Sequence, residues 1–316
     1  MENILSVIVP IFNTGNSLKN SLDSLVNQTI KNISIILVDD YSDDKTTKKI
    51  IDDYSKKYNN ISIVRNKKNL GAGLSRNAGL KDVNSKYVAF LDSDDWIDLD
   101  AYQKSIEFLE QNNDIDVAIF DIITEYRNYK SSKPRYIYTN QIIDNEIALK
   151  LLSNSHRFNI SLSPLIGNRV YRSTLLRDNK INFISGQFED DYFSFLCLKN
   201  ARRLALLSGF ALHYYQREQS LMHSFSKNNI EGLFTCFNKL KNRLQKENCF
   251  DSSKTIYYSY FERCSRSLFN QLFAVESSSI VQKQYLKYYF DLLHENINFE
   301  DYIDFIDIER IKEFFI

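Results

Sequence analysis

Ile33-Ser34-Ile35-Ile36-Leu37-Val38 runs straight into Asp39-Asp40-Tyr41-Ser42-Asp43-Asp44. The first six are almost all apolar and mostly β-branched, the mark of a short strand buried on both faces, and the acids follow at its end. The same grammar repeats outward from this point. Upstream, Ser6-Val7-Ile8-Val9 stops at Pro10, and residues 17–28 put Leu18, Leu22, Leu25 and Val26 on one helical face. Downstream, the spacing predicts a helix over 45–58, a strand over 61–64, a small-residue helix over 72–82, a strand over 87–91, a helix over 99–111 and a strand over 115–120. Strands alternating with helices make βαβ units, hence a mostly parallel sheet with helices on both faces. Such sheets bind ligands beyond the carboxyl ends of their strands. Polar clusters stand at those ends here: Asn13 after the first strand, Asp39 and Asp40 after the second, and Asp92, Asp94 and Asp95 after the fourth.

The rest of the chain divides by composition. Residues 121–227 are mixed, with a polar, Tyr-rich stretch at 124–140, a helix at 144–154, a second acid cluster at Glu189-Asp190-Asp191 and a strand over 203–208. From 228 to 316 there is no Pro and a single Gly, Gly232, while aromatics recur at helical spacing, as at Tyr257, Phe261, Phe269 and Phe273. The expected organisation is an α/β domain over 1–227, with halves 1–120 and 121–227, and an all-helical subdomain over 228–316. The aromatic tail has three open readings: a subdomain packed on the α/β core, a homo-oligomer interface, or a face for peripheral membrane contact. The acidic final stretch disfavours an anionic bilayer there, while Lys239, Lys241, Arg243 and Lys246 form a more basic helix face.

Forty basic residues against forty acidic ones leave no net charge, which argues against a nucleic-acid binder acting through bulk positive charge. A hydrophobic share of 43% with 25% charged residues belongs to a globular chain and not to a disordered one. No run of apolar residues is long enough to span a bilayer, and Met1–Leu5 lacks the basic flank of a signal peptide. Cys197, Cys236, Cys249 and Cys264 show neither CxxC nor metal spacing and read as buried thiols. The expected location is cytoplasmic.

Phe90-Leu91-Asp92-Ser93-Asp94-Asp95-Trp96 carries the strongest chemical signal. Three carboxylates in four residues repel one another, and a fold keeps them where a cation or hydrogen-bonding ligand compensates. Hard divalent ions, Mg²⁺ or Mn²⁺, want such oxygens and usually arrive with a substrate phosphate. The competing reading is a solvated acidic turn that caps the helix beginning near Leu99. For Asp39 and Asp40 the competing reading is likewise a cap, for the helix near Lys45.

At this point the chain resembles the family 2 glycosyltransferases of GT-A fold. The resemblance rests on five stretches in order: Ser6-Val7-Ile8-Val9-Pro10-Ile11-Phe12-Asn13, Leu22–Thr29, Val38–Thr46, Asn69-Leu70-Gly71-Ala72-Gly73-Leu74-Ser75-Arg76-Asn77-Ala78-Gly79, and Leu91–Trp96. It continues more weakly through Gly167–Arg172, Phe188–Phe193 and Tyr214–Leu221, and does not cover the helical tail. It implies a GT-A fold, a Rossmann-like mixed, mostly parallel sheet, and a metal-dependent enzyme that takes a UDP-sugar donor and inverts the anomeric carbon. The acceptor would be a hydroxyl of a glycan, a lipid-linked glycan or a glycoprotein in bacterial surface glycan synthesis.

Carried onto this sequence, the resemblance puts Pro10, Phe12, Asn13 and Asp40 in the nucleotide pocket, with Asp40 accepting from the base. Asp92 and Ser93 would join that pocket, Asp92 at the ribose or a metal-bound water, and Asp94 would hold the metal with Asp92 and, from the later stretch, His223. Arg76 would steady the pyrophosphate or the acidic cluster. Asp190 would be the general base, with Glu189 orienting the acceptor or Asp190, and Asp191 a rival base. Arg217 would neutralise charge on the leaving diphosphate and Ser220 would donate a hydrogen bond to it. Two other classes remain open: a nucleotidyltransferase of sugar phosphates, which would normally carry a basic Gly-rich loop where Asn13-Thr14-Gly15-Asn16 stands, and a catalytically silent relative acting as a partner subunit.

Overall fold

The structure, a computed structural model, describes residues 3–126, 129–134 as backbone, 140–153, 162–216, 225–297 and Tyr302. The chain divides into two compact units, Met1–Ala148 with Leu162–Arg217, and Leu149–Ser161 with Glu218–Ile316.

The first unit opens with β1 (Leu5–Ile11), α1 (Ser17–Val26), β2 (Ile33–Asp39), α2 (Lys45–Lys57), β3 (Ile61–Arg65), α3 (Ala72–Leu80) and β4 (Tyr87–Phe90). β1 lies between β2 and β4, all parallel, with Val7 beside Ile35 and Ala89, and β3 extends the sheet parallel to β2. Every residue of β1 is buried, because helices cover both faces of a parallel sheet, and this is why the strands read as unbroken apolar runs. Pro10 sits within this central strand. The Leu91 amide donates to the Ile8 carbonyl, and β4 pairs no further than Ile8. Pro10 has the same parity as Ile8, so its nitrogen, which has no hydrogen to donate, faces the side where β4 has already ended.

Next come β5 (Trp96–Ile97), α4 (Ala101–Gln111), β6 (Val117–Tyr126), β7 (Tyr129–Pro134), β8 (Gln141–Asp144), α5 (Asn145–Ser153, whose residues from Leu149 on belong to the second unit), β9 (Arg169–Arg172), α6 (Ser173–Asp178), α7 (Glu189–Asn200) and β10 (Arg203–Gln216). The sheet order is β3-β2-β1-β4-β9-β6-β10-β5, with β7 on β6 and β8 on β10. β9 runs antiparallel to β4 and β6, and β6 runs parallel to β10. One edge of the sheet therefore gathers the carboxyl ends of β1, β2, β4, β6 and β10 and the amino end of β9. β6 and β10 extend well past their expected ends at 120 and 208. In β10 the pairing shifts between Leu206 and Ala211, where Gly209 takes φ +87°. A left-handed residue suits Gly at such an irregularity, and polar His213, Tyr214 and Tyr215 follow it.

The second unit contains α8 (Lys227–Lys246), α9 (Phe250–Val275) and α10 (Ser279–Asn296). Phe237 of α8 packs its ring against Tyr257, Tyr260 and Phe261 of α9, and Phe234 packs against Phe261 and Tyr289. Two buried phenols find partners, Tyr257 on the Phe237 carbonyl and Tyr289 on Ser265. The aromatic spacing of the tail is thus the core of this helical unit. Among the described residues no helix is long and apolar enough to cross a membrane.

Candidate active site

Arg76 organises the loaded edge of the sheet. It lies in α3, where Gly79 lets the helix press onto β1 and β2; a Cβ at Gly79 would stand 2.7 Å from Ile8 Cγ2 and 3.1 Å from Val38 Cγ2. The Arg76 side chain is only 3% exposed, and its guanidinium donates to Asp92 Oδ1 at 2.6 Å, Asp190 Oδ1 at 3.0 Å and Glu189 Oε1 at 3.3 Å. Asp92 stands just past β4, while Glu189 and Asp190 open α7. Gly73 makes the second approach possible, since a Cβ there would fall 2.5 Å from the Ile184 carbonyl oxygen and 3.0 Å from Glu189 Cγ.

Among the described residues, three carboxylates around the Arg76 guanidinium set the electrostatics. Burial opposes the charge on Arg76, but Asp190, Asp92 and Glu189 outweigh it and hold the guanidinium firmly protonated. Burial raises Glu189 above the usual carboxylate range against the pull of Arg76. Burial raises Asp190 well above that range; Arg76 opposes the shift, and Glu189, Asp92 and Asp191 add to it. A carboxylate so placed is a stronger proton acceptor than one in water. The acidic first turn also suits the dipole of α7.

The residues expected from the sequence to line a nucleotide pocket fall around the ends of β1 and β2. Pro10 is buried, and Phe12 is 49% exposed. Asn13, in left-handed conformation, donates to Asp43 Oδ1 at 2.6 Å and accepts from the Asp43 and Asp44 amides, which joins the two loops. The buried Asp40 carboxylate accepts from Asn66 Nδ2 and from the Leu70 and Gly71 amides, each at 2.8 Å. It therefore holds the segment that leads into α3, with about one of its four acceptor positions to spare. The cap of α2 is Asp44, which accepts from the Thr46 and Thr47 amides, so neither Asp39 nor Asp40 fills that role. Ser93 is buried and shares a 2.6 Å hydrogen bond with Thr14. Asp100, at the N-cap of α4, makes no side-chain capping bond, and Asp92, Ser93 and Asp95 are instead engaged with Arg76, Thr14 and Tyr215.

Asp95 and Trp96 bind this turn to β10. Asp95 Oδ1 accepts from the Tyr215 amide at 2.9 Å, and Trp96 stacks on His213 with ring centroids 5.3 Å apart. His213 is buried with Glu125 Oε1 2.7 Å from Nδ1 and Asp98 Oδ1 3.0 Å from Nε2. Burial works against its charge, but the two carboxylates prevail and raise its pKa above the ordinary imidazole value. Both ring nitrogens are occupied, so His213 has none left for a metal. Arg217, Ser220 and His223 lie outside the described residues.

Among the described residues no three acidic, His or Cys side chains converge as a ready-made metal site. The donor chemistry still fits a divalent cation that brings phosphate with it: Asp92 and Asp94 supply hard oxygens two residues apart at a strand end, where acids outnumber Arg76. Sequence reasoning missed Asn66, whose amide bridges Asp40 and Ser75, and Gly73 as the spacer that admits α7. A lone Asn between strand and helix gives no advance sign of a partner 26 residues away.

Comparison with known proteins adds independent findings. The family model described as Glycosyl transferase family 2 matches residues 6–170. The chain is 31% identical over 68% of its length to the minor teichoic acid biosynthesis protein GgaA of Bacillus subtilis (strain 168), and spans 48% of that protein. It is 28% identical over 66% of its length to the poly(ribitol-phosphate) beta-glucosyltransferase of Bacillus spizizenii, and spans 32% of it. The chain thus covers a third to a half of these curated relatives. Among solved structures, residues 1–349 of S. aureus TarS in complex with UDP-GlcNAc match with a TM-score of 0.72 at 23% identity, over 93% of this chain and 82% of that one. The GT-A architecture expected from the sequence is the observed one.

Proposed function

This chain belongs to glycosyl transferase family 2, and we propose that it moves a hexose or N-acetylhexosamine from a UDP-sugar to a hydroxyl of a glycan acceptor in bacterial surface-polymer synthesis, with inversion at the anomeric carbon. The observation that carries this reading is the convergence on one buried guanidinium of Asp92 from a strand end and the Glu189-Asp190 pair from α7. Such an arrangement offers a phosphate-side acid and an acceptor-side base across a short distance.

In this reaction the acceptor oxygen attacks the anomeric carbon, the bond from that carbon to the diphosphate breaks, and UDP leaves with the electron pair. Asp190 takes the acceptor proton, a task suited to its raised affinity for protons. Glu189 shares Arg76 with Asp190 and orients it. Asp40 supports the nucleotide side through the segment at 66–71, with one acceptor position for the base. Asp94 and Asp92 would hold Mn²⁺ or Mg²⁺. That ion, when bound, would supply positive charge for the departing diphosphate. UDP-GlcNAc in the TarS complex and the poly(ribitol-phosphate) and teichoic-acid relatives support a UDP donor and a place in surface-polymer synthesis.

The test is a screen of UDP-sugars for released UDP, with and without Mn²⁺, on the parent enzyme and on Asp190→Asn. Release that needs metal and fails in the variant is the expected result. UDP release unaffected by the substitution would remove Asp190 as base, and no nucleotide binding at all would favour a silent subunit.

A further inference from the structure

Helix α7 carries the proposed base, yet its own pattern does not fix its rotation. Phe193, Ser194, Phe195, Leu196, Cys197 and Leu198 are all buried. A helix enclosed on every side has no apolar face to choose one roll about its axis. Its N-cap, Phe188, is in left-handed conformation and makes no capping bond. Specific polar ties must supply the rotation.

One such tie lies directly below Asp190. Ser194 is four residues on, and so on the same helix face. Its hydroxyl donates to the Pro164 carbonyl at 2.6 Å and accepts from Arg169 Nη1 at 3.1 Å. Arg169, the first residue of β9, is 1% exposed and also donates from Nη2 to the Ser163 carbonyl. Its Nε is buried with no partner, and among the described residues its guanidinium meets no carboxylate. A buried cation without a counter-charge is costly. Anchoring the amino end of β9, an interior strand of the sheet, to a loop and to the base-bearing helix gives that cost a purpose.

We propose that Arg169 is a positioning residue for the transfer step, locking the roll of α7 through Ser194 so that Asp190 meets the acceptor hydroxyl. This rests on the reading of Asp190 as base. A carboxylate carried about 6 Å from the helix axis moves about 1 Å for every 10° of roll. A misplacement of that size costs on the order of 10²-fold in rate.

The experiment measures kcat, KM for the UDP-sugar and the dissociation constant of UDP for Arg169→Met, Arg169→Lys and Ser194→Ala, alone and combined with Asp190→Asn. Arg169→Met is expected to lose about 10–10²-fold in kcat while UDP affinity stays within twofold. Arg169→Lys is expected to recover at least threefold over Arg169→Met. Ser194→Ala removes one oxygen, and is expected to lose about tenfold; it carries the test if Arg169→Met does not fold. In the Asp190→Asn background each change is expected to add less than threefold, since it acts through the missing base. Folded variants with kcat within threefold of the parent, or full additivity with Asp190→Asn, would overturn the proposal. An Asp190→Asn enzyme with parent activity would instead overturn the assignment of the base.

Discussion

Arg76→Met removes the cation that, among the described residues, is shared by Asp92, Glu189 and Asp190. Losing one partner of a buried pair costs about 3–5 kcal/mol, because the remaining charge stays desolvated. Here the Asp92 carboxylate is 35% exposed and the other two are 20% exposed, so water screens part of the loss and the low end, about 3 kcal/mol, is the better figure. At about 2–4 °C per kcal/mol for a unit of this size, the melting temperature should fall about 6–12 °C. The deficit should also depend on pH in a known direction. Glu189 and Asp190 already titrate above their ordinary values, and loss of Arg76 raises both further. Groups with raised native pKa values bind more protons folded than unfolded, so stability declines as pH climbs from the ordinary carboxylate range toward those raised values. Acidification therefore narrows the gap between variant and parent. Thermal melts of both proteins at about pH 5 and about pH 8 provide the assay. An equal gap at both pH values, or no gap, would refute the claim that these acids are held by this guanidinium.

Asp190→Asn should leave UDP affinity near that of the parent while kcat falls about 10²–10⁴-fold, measured as UDP released in the presence of acceptor. Asp94→Ala should abolish the metal-dependent part of UDP binding, read by calorimetry with and without Mn²⁺; unchanged affinity would exclude it as a ligand. Gly73→Ala places a methyl group where the Ile184 carbonyl and Glu189 now stand, so α7 must shift; about 10²-fold lower kcat with a folded protein is expected, and full activity would show that the approach is not needed. His213 has a raised pKa, so its contribution to stability is complete below the ordinary imidazole value and lost as pH rises through the raised one. His213→Gln should flatten that part of the stability-pH curve, and an unchanged curve would show that the imidazole is not the titrating group.

The elements that were legible in the sequence are those whose burial is continuous. β1, β2 and β4 are covered on both faces, so they appear as apolar runs with sharp polar ends. β5 has two residues and β9 has four, too few to show any period, and β10 is broken by its Gly209 irregularity. Strand-end acids drew attention to Asp40 and Asp92, because charge crowding is visible in one dimension, and both turn out to hold partners from other elements. Partnership is not: Arg76 and Asp190 are 114 residues apart, and nothing local to either names the other. Asp40 illustrates the same limit, since its carboxylate organises backbone amides about 30 residues downstream.

A crystal of the protein with Mn²⁺ and an intact UDP-sugar tests the central claim most directly. The ion should lie on Asp94, the diphosphate beside the Asp92–Asp94 turn, and the Asp190 carboxylate on the face of the anomeric carbon opposite the leaving oxygen, within hydrogen-bond reach, about 3 Å, of where an acceptor hydroxyl would stand. A nucleotide seated away from that edge, with Arg76 and its acids untouched, would contradict it.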